Sequence, residues 1–237
     1  MKKKLIALVI TATVSFSSFA NFDKVKAALD EDNINVAEST FNALTESEKN
    51  SVTGQVLAGR LLLEKEESED AFDHFEDLLD GNSENIDVNY YLGVSAVIMA
   101  QKASIFSKLG YAEDFLEAME KTVVLKPDHE DALNTLIGFH LGAPSIAGGD
   151  TDKALAYANQ LKGFDAEQGY GQLANVYFQT DEIDLAEQTW QKGLEEFPES
   201  AQLYATRASA YMKDEAWDKA RSDLTFAIKF AKDDEEK

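Results

Sequence analysis

Apolar residues recur along this chain at intervals of three and four, the period of helices that bury one face. Val25, Ala37, Phe41 and Leu44 open the series, and Gly59, Leu62, Ala71, Phe75 and Leu78 repeat it one unit later. Only 3 prolines and 13 glycines punctuate 237 residues, while Ala, Leu, Glu and Lys abound. That composition favours helices joined by short turns over strands joined by Gly/Pro-rich ones, so an all-α protein is expected.

The pattern has a second, longer period. Laid on itself at an offset of 34, the last part of the chain aligns Tyr170, Ala174, Tyr177, Ala186, Trp190 and Gly193 with Tyr204, Ala208, Tyr211, Ala220, Leu224 and Ala227, and Pro198 closes the first copy. This sequence of aromatic, small residue, Tyr, Ala-x3-aromatic and terminal Pro resembles the tetratricopeptide (TPR) repeat. The resemblance implies a right-handed solenoid of antiparallel helix pairs, with about six units near 21–51, 52–85, 86–129, 130–166, 167–200 and 201–234. Small residues belong where the two helices of a pair approach most closely, here Ala174 with Ala186 and Ala208 with Ala220. Large residues fill the space between pairs, so Tyr170, Tyr177, Trp190, Tyr211 and Leu224 read as core.

Two units depart from the period. In 86–129, Gly93 and Pro127 hold the small and terminal positions, but about ten residues are inserted around 101–110 relative to the repeat. Apolar Ile98, Ile105, Phe106, Leu109 and Phe115 continue through the insertion at helical spacing, predicting that both helices of that hairpin are lengthened. In 130–166 the helices, near 131–142 and 152–162, are separated by Ala143-Pro144-Ser145-Ile146-Ala147-Gly148-Gly149-Asp150. Pro144 ends the first helix, the glycines permit positive φ, and Asp150 or Thr151 caps the second. The glycine pair lacks the lysine and the preceding strand of a phosphate-binding loop, and Asp150 would repel an anion. The long hairpin ending Leu125-Lys126-Pro127-Asp128, followed by this loop and an Ala-rich helix, is similar to a group of exported bacterial repeat proteins.

The first twenty residues differ in kind. Lys2, Lys3 and Lys4 precede the apolar run Leu5 to Val14, and Ser18 and Ala20 stand at the −3 and −1 positions before Asn21, the pattern of a cleaved secretory signal. The run is about half of the roughly 20 residues a spanning helix needs. With no cysteine in the chain, neither a lipid-modified cysteine nor a disulfide is available, so a periplasmic protein beginning at Asn21 is expected, with 21–237 as a single repeat domain. The formal charge is −22, and loss of three lysines with the signal makes it more negative. Such a chain repels phosphate backbones and anionic headgroups, and neither nucleic acid nor stable membrane insertion is expected.

Candidate chemistry is sparse. Cysteine nucleophiles are absent, and no G-x-S-x-G elbow is present. His74, His129 and His140 form no i, i+4 metal pair. The acidic run Glu64 to Asp80 lacks the spaced ligands and central glycine of a calcium loop, and reads as a solvated helix face, as do Asp233 to Glu236. No cofactor, metal or enzymatic activity is expected. In a TPR-type solenoid the first helices of successive pairs line the concave wall. On those helices Glu64, Asp87, Asp131 and Glu167 are balanced by Arg60, Lys65, Arg207 and Lys213, whereas the second helices carry the excess acid. The wall is expected to present Tyr90, Val94, Val97, Asn175, Phe178, Gln179, Ser209, Met212 and Lys213, a mixture suited to an extended or helical peptide. The several concave basic residues of a clamp on a terminal carboxylate are missing. A scaffold binding a protein or peptide follows; a small-molecule-binding accessory of a transporter or envelope pathway is the alternative, and would need an enclosed pocket beside the 143–150 loop.

Overall fold

The computed structural model describes residues 16–104 and 107–235, with side chains from 21 to 104 and from 107 to 231. The fold is all-α, a succession of antiparallel helix pairs. The signal residues 1–15 and the inserted Ile105 and Phe106 lie outside the described residues, as do the side chains of the acidic stretch 233–236. The chain divides into two compact units, 1–102 and 103–237.

The first unit contains α1 (Phe16–Asp30), α2 (Ile34–Asn42), the short α3 (Glu46–Lys49), α4 (Val52–Glu64), α5 (Ser68–Leu79) and α6 (Ile86–Lys102). Local chemistry sets the starts. Asn33 caps α2 through Val36 N–H, Thr45 and Glu48 form a reciprocal capping box on α3, and Ser51 caps α4 through Gly54 N–H. α1 packs on α2 and α4, and α5 on α4 and α6. Val25, Ala28, Leu29, Ala37, Leu44, Leu57 and Leu61 make one buried cluster, with Phe22 and Phe41 at its margin. The small position is sterically enforced: a Cβ on Gly59 would stand 2.3 Å from the ring of buried Phe75 on the paired helix.

The second unit contains α7 (Lys108–Leu125), α8 (Glu130–Gly142), a 3-10 turn (Ser145–Ala147), α9 (Thr151–Phe164), α10 (Ala166–Gln179), α11 (Ile183–Glu196), α12 (Ala201–Lys213) and α13 (Trp217–Glu235). The predicted lengthening is present: α6 has 17 residues and α7 has 18, against 12 to 14 for α4, α5 and α8 to α12. The loop after α8 turns as its residues dictate. Gly148 adopts φ +92° and Asp150 accepts the N–H groups of Asp152 and Lys153 as the cap of α9. Ala174, Ala186, Ala208 and Ala220 are at most 2% exposed, and Trp190 is enclosed in a cluster with Ala174, Ala186 and Ala210, against which Tyr177 and Phe178 pack. Tyr170 and Tyr211 are half-buried.

Leu224 departs from expectation. It holds the position of Trp190 one repeat later, yet it is 37% exposed where Trp190 is 1% exposed. Trp190 is covered from α12 by Ala210 and the Tyr211 ring, at 6.5 Å between centroids. On α13 the Leu224 side chain is left more open.

A backbone feature marks the turns inside four pairs. Asp32, Glu66, Asp181 and Glu215 adopt φ between +54° and +65°. In each, the next residue donates its N–H to the carbonyl five residues back: Asn33 to Ala28, Glu67 to Leu62, Glu182 to Tyr177, Ala216 to Tyr211. These are Schellman closures, which satisfy the last carbonyls of the first helix and reverse the chain. An acidic residue occupies the left-handed position usually given to glycine.

Candidate protein-binding surface

In the first unit, three first helices converge on one groove of about 170 Å³. α1 supplies Phe22, Asp23 and Lys26, α4 supplies Thr53, Val56, Leu57 and Arg60, and α6 supplies Asp87 and Tyr91. Arg60 is held from two sides. Its guanidinium donates to Asp30 at 2.7 Å and lies 5.2 Å from the centroid of the Tyr91 ring, so its charge is neutralised and its plane fixed. Burial pushes the Tyr91 phenol up to about 12, against the opposing pull of Arg60. Tyr91 therefore stays a neutral hydroxyl at any physiological pH. Tyr90 meets Tyr91 edge-on at 5.0 Å, and the aromatic residues lining the groove are Phe22 and Tyr91. The volume lies below the roughly 300–1,000 Å³ of small-molecule sites and has room for one apolar side chain, with Asp23, Lys26 and Thr53 around it to meet a backbone.

In the second unit, first helices carry a row of amides. Asn134 on α8 donates to Gln168 Oε1 at 2.6 Å and accepts from Gln172 on α10 at 2.7 Å. Asn175 accepts from Gln179 one turn along α10 at 3.3 Å. The expected wall residues fall as follows. Tyr90 and Val94 are half-buried on α6 of the first unit, and Asn175 and Phe178 are half-buried on α10. Gln179, Ser209, Met212 and Lys213 are exposed. Phe178 is committed to packing, 6.1 Å from the Trp190 ring, and the Ser209 hydroxyl donates to its own helix at Ala205 O. Asn134, Gln168 and Gln172 were not singled out from the sequence. Their signal was available, since Asn134 and Gln168 are one repeat length apart.

The Arg207 guanidinium of this unit is occupied. Arg207 makes a bidentate pair with buried Asp223, at 2.7 and 2.8 Å, with the Tyr204 and Tyr211 rings each 5.8 Å away. Tyr211 donates to Glu187 at 2.8 to 2.9 Å. A wider groove of about 580 Å³ lies at the 197–200 turn, between Glu167, Glu196, Glu199 and Lys229 over Phe197, Pro198 and Phe230.

Each histidine ring meets a backbone group. His74 Nε2 lies 2.8 Å from Gln55 O, and His129 Nδ1 accepts Ala132 N–H as the cap of α8. His140 is 1% exposed, stacked 5.8 Å from Tyr157, with Nδ1 3.0 Å from Gly148 O of the long loop and Nε2 unbonded. Burial lowers its pKa, against the Gly148 carbonyl. Among the described residues no group of three or more acidic or histidine side chains could hold a metal ion, and no helix is long and apolar enough to cross a membrane.

No protein-family profile and no curated protein matches the chain. Solved structures do. A TPR protein of Thermus thermophilus, TTC0263, superposes with a TM-score of 0.60 at 18% identity, over 82% of this chain and 99% of that one. MamA 41-end from Desulfovibrio magneticus RS-1 gives 0.53 at 13% identity over 78% and 97%. YrrB, described as a TPR protein with an unusual peptide-binding site, gives 0.51 at 17% over 80% and 91%. The fold is thus that of the TPR solenoids.

Proposed function

We propose that this chain is an exported, non-enzymatic scaffold that holds a peptide segment of a partner protein in the groove formed by the first helices of its first unit. The observation that carries the reading is the lining of the 170 Å³ groove by α1, α4 and α6, the first helices of successive pairs. It offers one apolar socket beside balanced charges. Within the groove, Asp23, Lys26 and Thr53 offer the donors and acceptors that a peptide backbone requires. A fold shared with YrrB, itself described as having a peptide-binding site, supports the same reading. The signal pattern at 1–20 supports a periplasmic location for the scaffold.

Two measurements test this. Fractionation with terminal sequencing should recover a periplasmic protein beginning at Asn21; a cytoplasmic product retaining Met1 contradicts export. Binding to a library of tiled peptides should select segments with an apolar anchor. Lys26→Ala should weaken selected peptides about tenfold, the ~1.4 kcal/mol of one lost polar contact, while Ile146→Ala on the loop after α8 leaves them bound. Equal binding by the two variants refutes the assignment of the groove.

A further inference from the structure

α13 has two apolar stripes. One packs on α12 through Ala220, Ala227 and Phe230, all buried. The other runs Trp217, Arg221, Leu224, Ile228, Ala231, spaced alternately by four and three, the seam of a helix that pairs with another. Trp217 and Ile228 are each 58% exposed and Leu224 37%. With Phe226, α13 exposes four large apolar side chains, whereas no other helix exposes more than two among the described residues. The preceding repeat states what such a face is for: Trp190, at the position of Leu224, is closed over by another helix.

We infer that a second copy of this chain covers the stripe, the two α13 helices pairing antiparallel about a two-fold axis through its middle. The stripe is self-complementary in that sense. Trp217 of one copy lies against Ile228 of the other, and the aliphatic stem of Arg221 against Leu224. Asp218 and Lys229 share one flank of the helix, near opposite ends of the stripe, and antiparallel pairing brings Asp218 within a turn of Lys229 of the second copy, twice by symmetry. Both charges are available for it. Asp218 is fully exposed and lies 3.9 Å from the solvated Arg221, and Lys229 rests over the Phe230 ring. Parallel pairing would instead set Arg221 on Arg221 in the seam and leave Asp218 and Lys229 of the two copies on opposite faces of the pair. A lipid surface, the other occupant an apolar face with lysines might take, is opposed by the charge of −22. One helix pair buries less than the roughly 1,600 Å² of a standard interface, so the dimer forms as concentration rises.

The test uses the full mature chain. Sedimentation equilibrium should show a monomer passing to a dimer, and Leu224→Glu, at an exposed site with helicity retained, should remain monomeric. Asp218→Lys and Lys229→Asp should each weaken the dimer at least tenfold, and the double exchange should restore it. The chain has no cysteine, so Leu224→Cys carries a unique thiol; a short bismaleimide should link it into covalent dimers far faster than Val124→Cys, which is 72% exposed on α7. A monomer at all concentrations, equal cross-linking of the two cysteine variants, or a double exchange that fails to restore pairing overturns the inference. So does sedimentation of the monomer with anionic vesicles that Leu224→Glu abolishes, which would give the face to lipid.

Discussion

Replacing the acidic residue at a left-handed turn by glycine should stabilise this protein, although glycine in a helical protein is usually costly. At φ +61°, the Cβ of Glu66 is crowded against its own backbone, a conformation that costs an L-residue about 1–2 kcal/mol. Glycine removes that cost and returns roughly 0.5–1 kcal/mol of it through its greater freedom in the unfolded chain. The expected gain for Glu66→Gly is therefore about 0.5–1 kcal/mol. Removing a carboxylate from the C-terminal end of α4, where the helix dipole is negative, acts in the same direction. Glu117→Gly is the matched control: an exposed glutamate inside α7, where the same exchange should cost about 1 kcal/mol. Urea unfolding curves at unchanged slope read both signs. Glu215→Gly, in the second unit, should repeat the gain. If Glu66→Gly and Glu117→Gly lose stability alike, the left-handed turn is not the strained feature described above.

Two further outcomes follow from buried groups. Arg207→Met strands the Asp223 carboxylate, 4% exposed, and should cost about 3–5 kcal/mol in denaturant unfolding, most of it recovered by adding Asp223→Leu; a cost under ~1 kcal/mol would contradict a buried pair. His140 has its pKa lowered by burial, so above its ordinary value of 6.5 it is neutral in both states and contributes no pH dependence. As pH falls below 6.5 the unfolded chain takes up a proton that the folded one resists, even with Glu120 and Asp150 opposing Lys153 nearby, so stability declines towards the folded pKa. His140→Phe should remove that part of the slope, and an unchanged slope would place the ring in water.

The helices and their pairing were legible because they rest on short-range facts. A capping residue, a small residue at closest approach and an apolar stripe each act within a few positions, and Ala174, Ala186, Asp150 and the lengthened α6 and α7 all fell where the pattern put them. What escaped depends on neighbours that periodicity does not name. The groove draws Phe22, Arg60 and Tyr91 from three helices, a convergence that the period of no single helix states. The amides Asn134, Gln168 and Gln172 matter as a bonded set across two helices, while each alone is an ordinary surface residue. The acidic left-handed turns went unseen because glycine is the usual signal there, although Asp32 and Glu66, like Asp181 and Glu215, are spaced by the repeat length.

Leu224 shows how one repeat position can carry two meanings. At Trp190 the side chain is apolar because α12 covers it, and nearby Glu187 accepts the hydroxyl of Tyr211 from that helix. One repeat later Glu187 becomes Arg221, as expected where no tyrosine hydroxyl arrives, and Phe197 becomes Ala231. Those changes suit a solvated face. Trp190 and Leu194, however, become Leu224 and Ile228 rather than polar residues, and Trp217 adds an aromatic to the same stripe. Adapting the polar positions to open surroundings while keeping the apolar ones is uneconomical for a surface that meets only water, since each large apolar side chain left exposed forgoes about 1.5–3 kcal/mol of burial. It is what a helix requires if it pairs with its own copy, where Arg221 lies beside Leu224 and Asp218 meets Lys229.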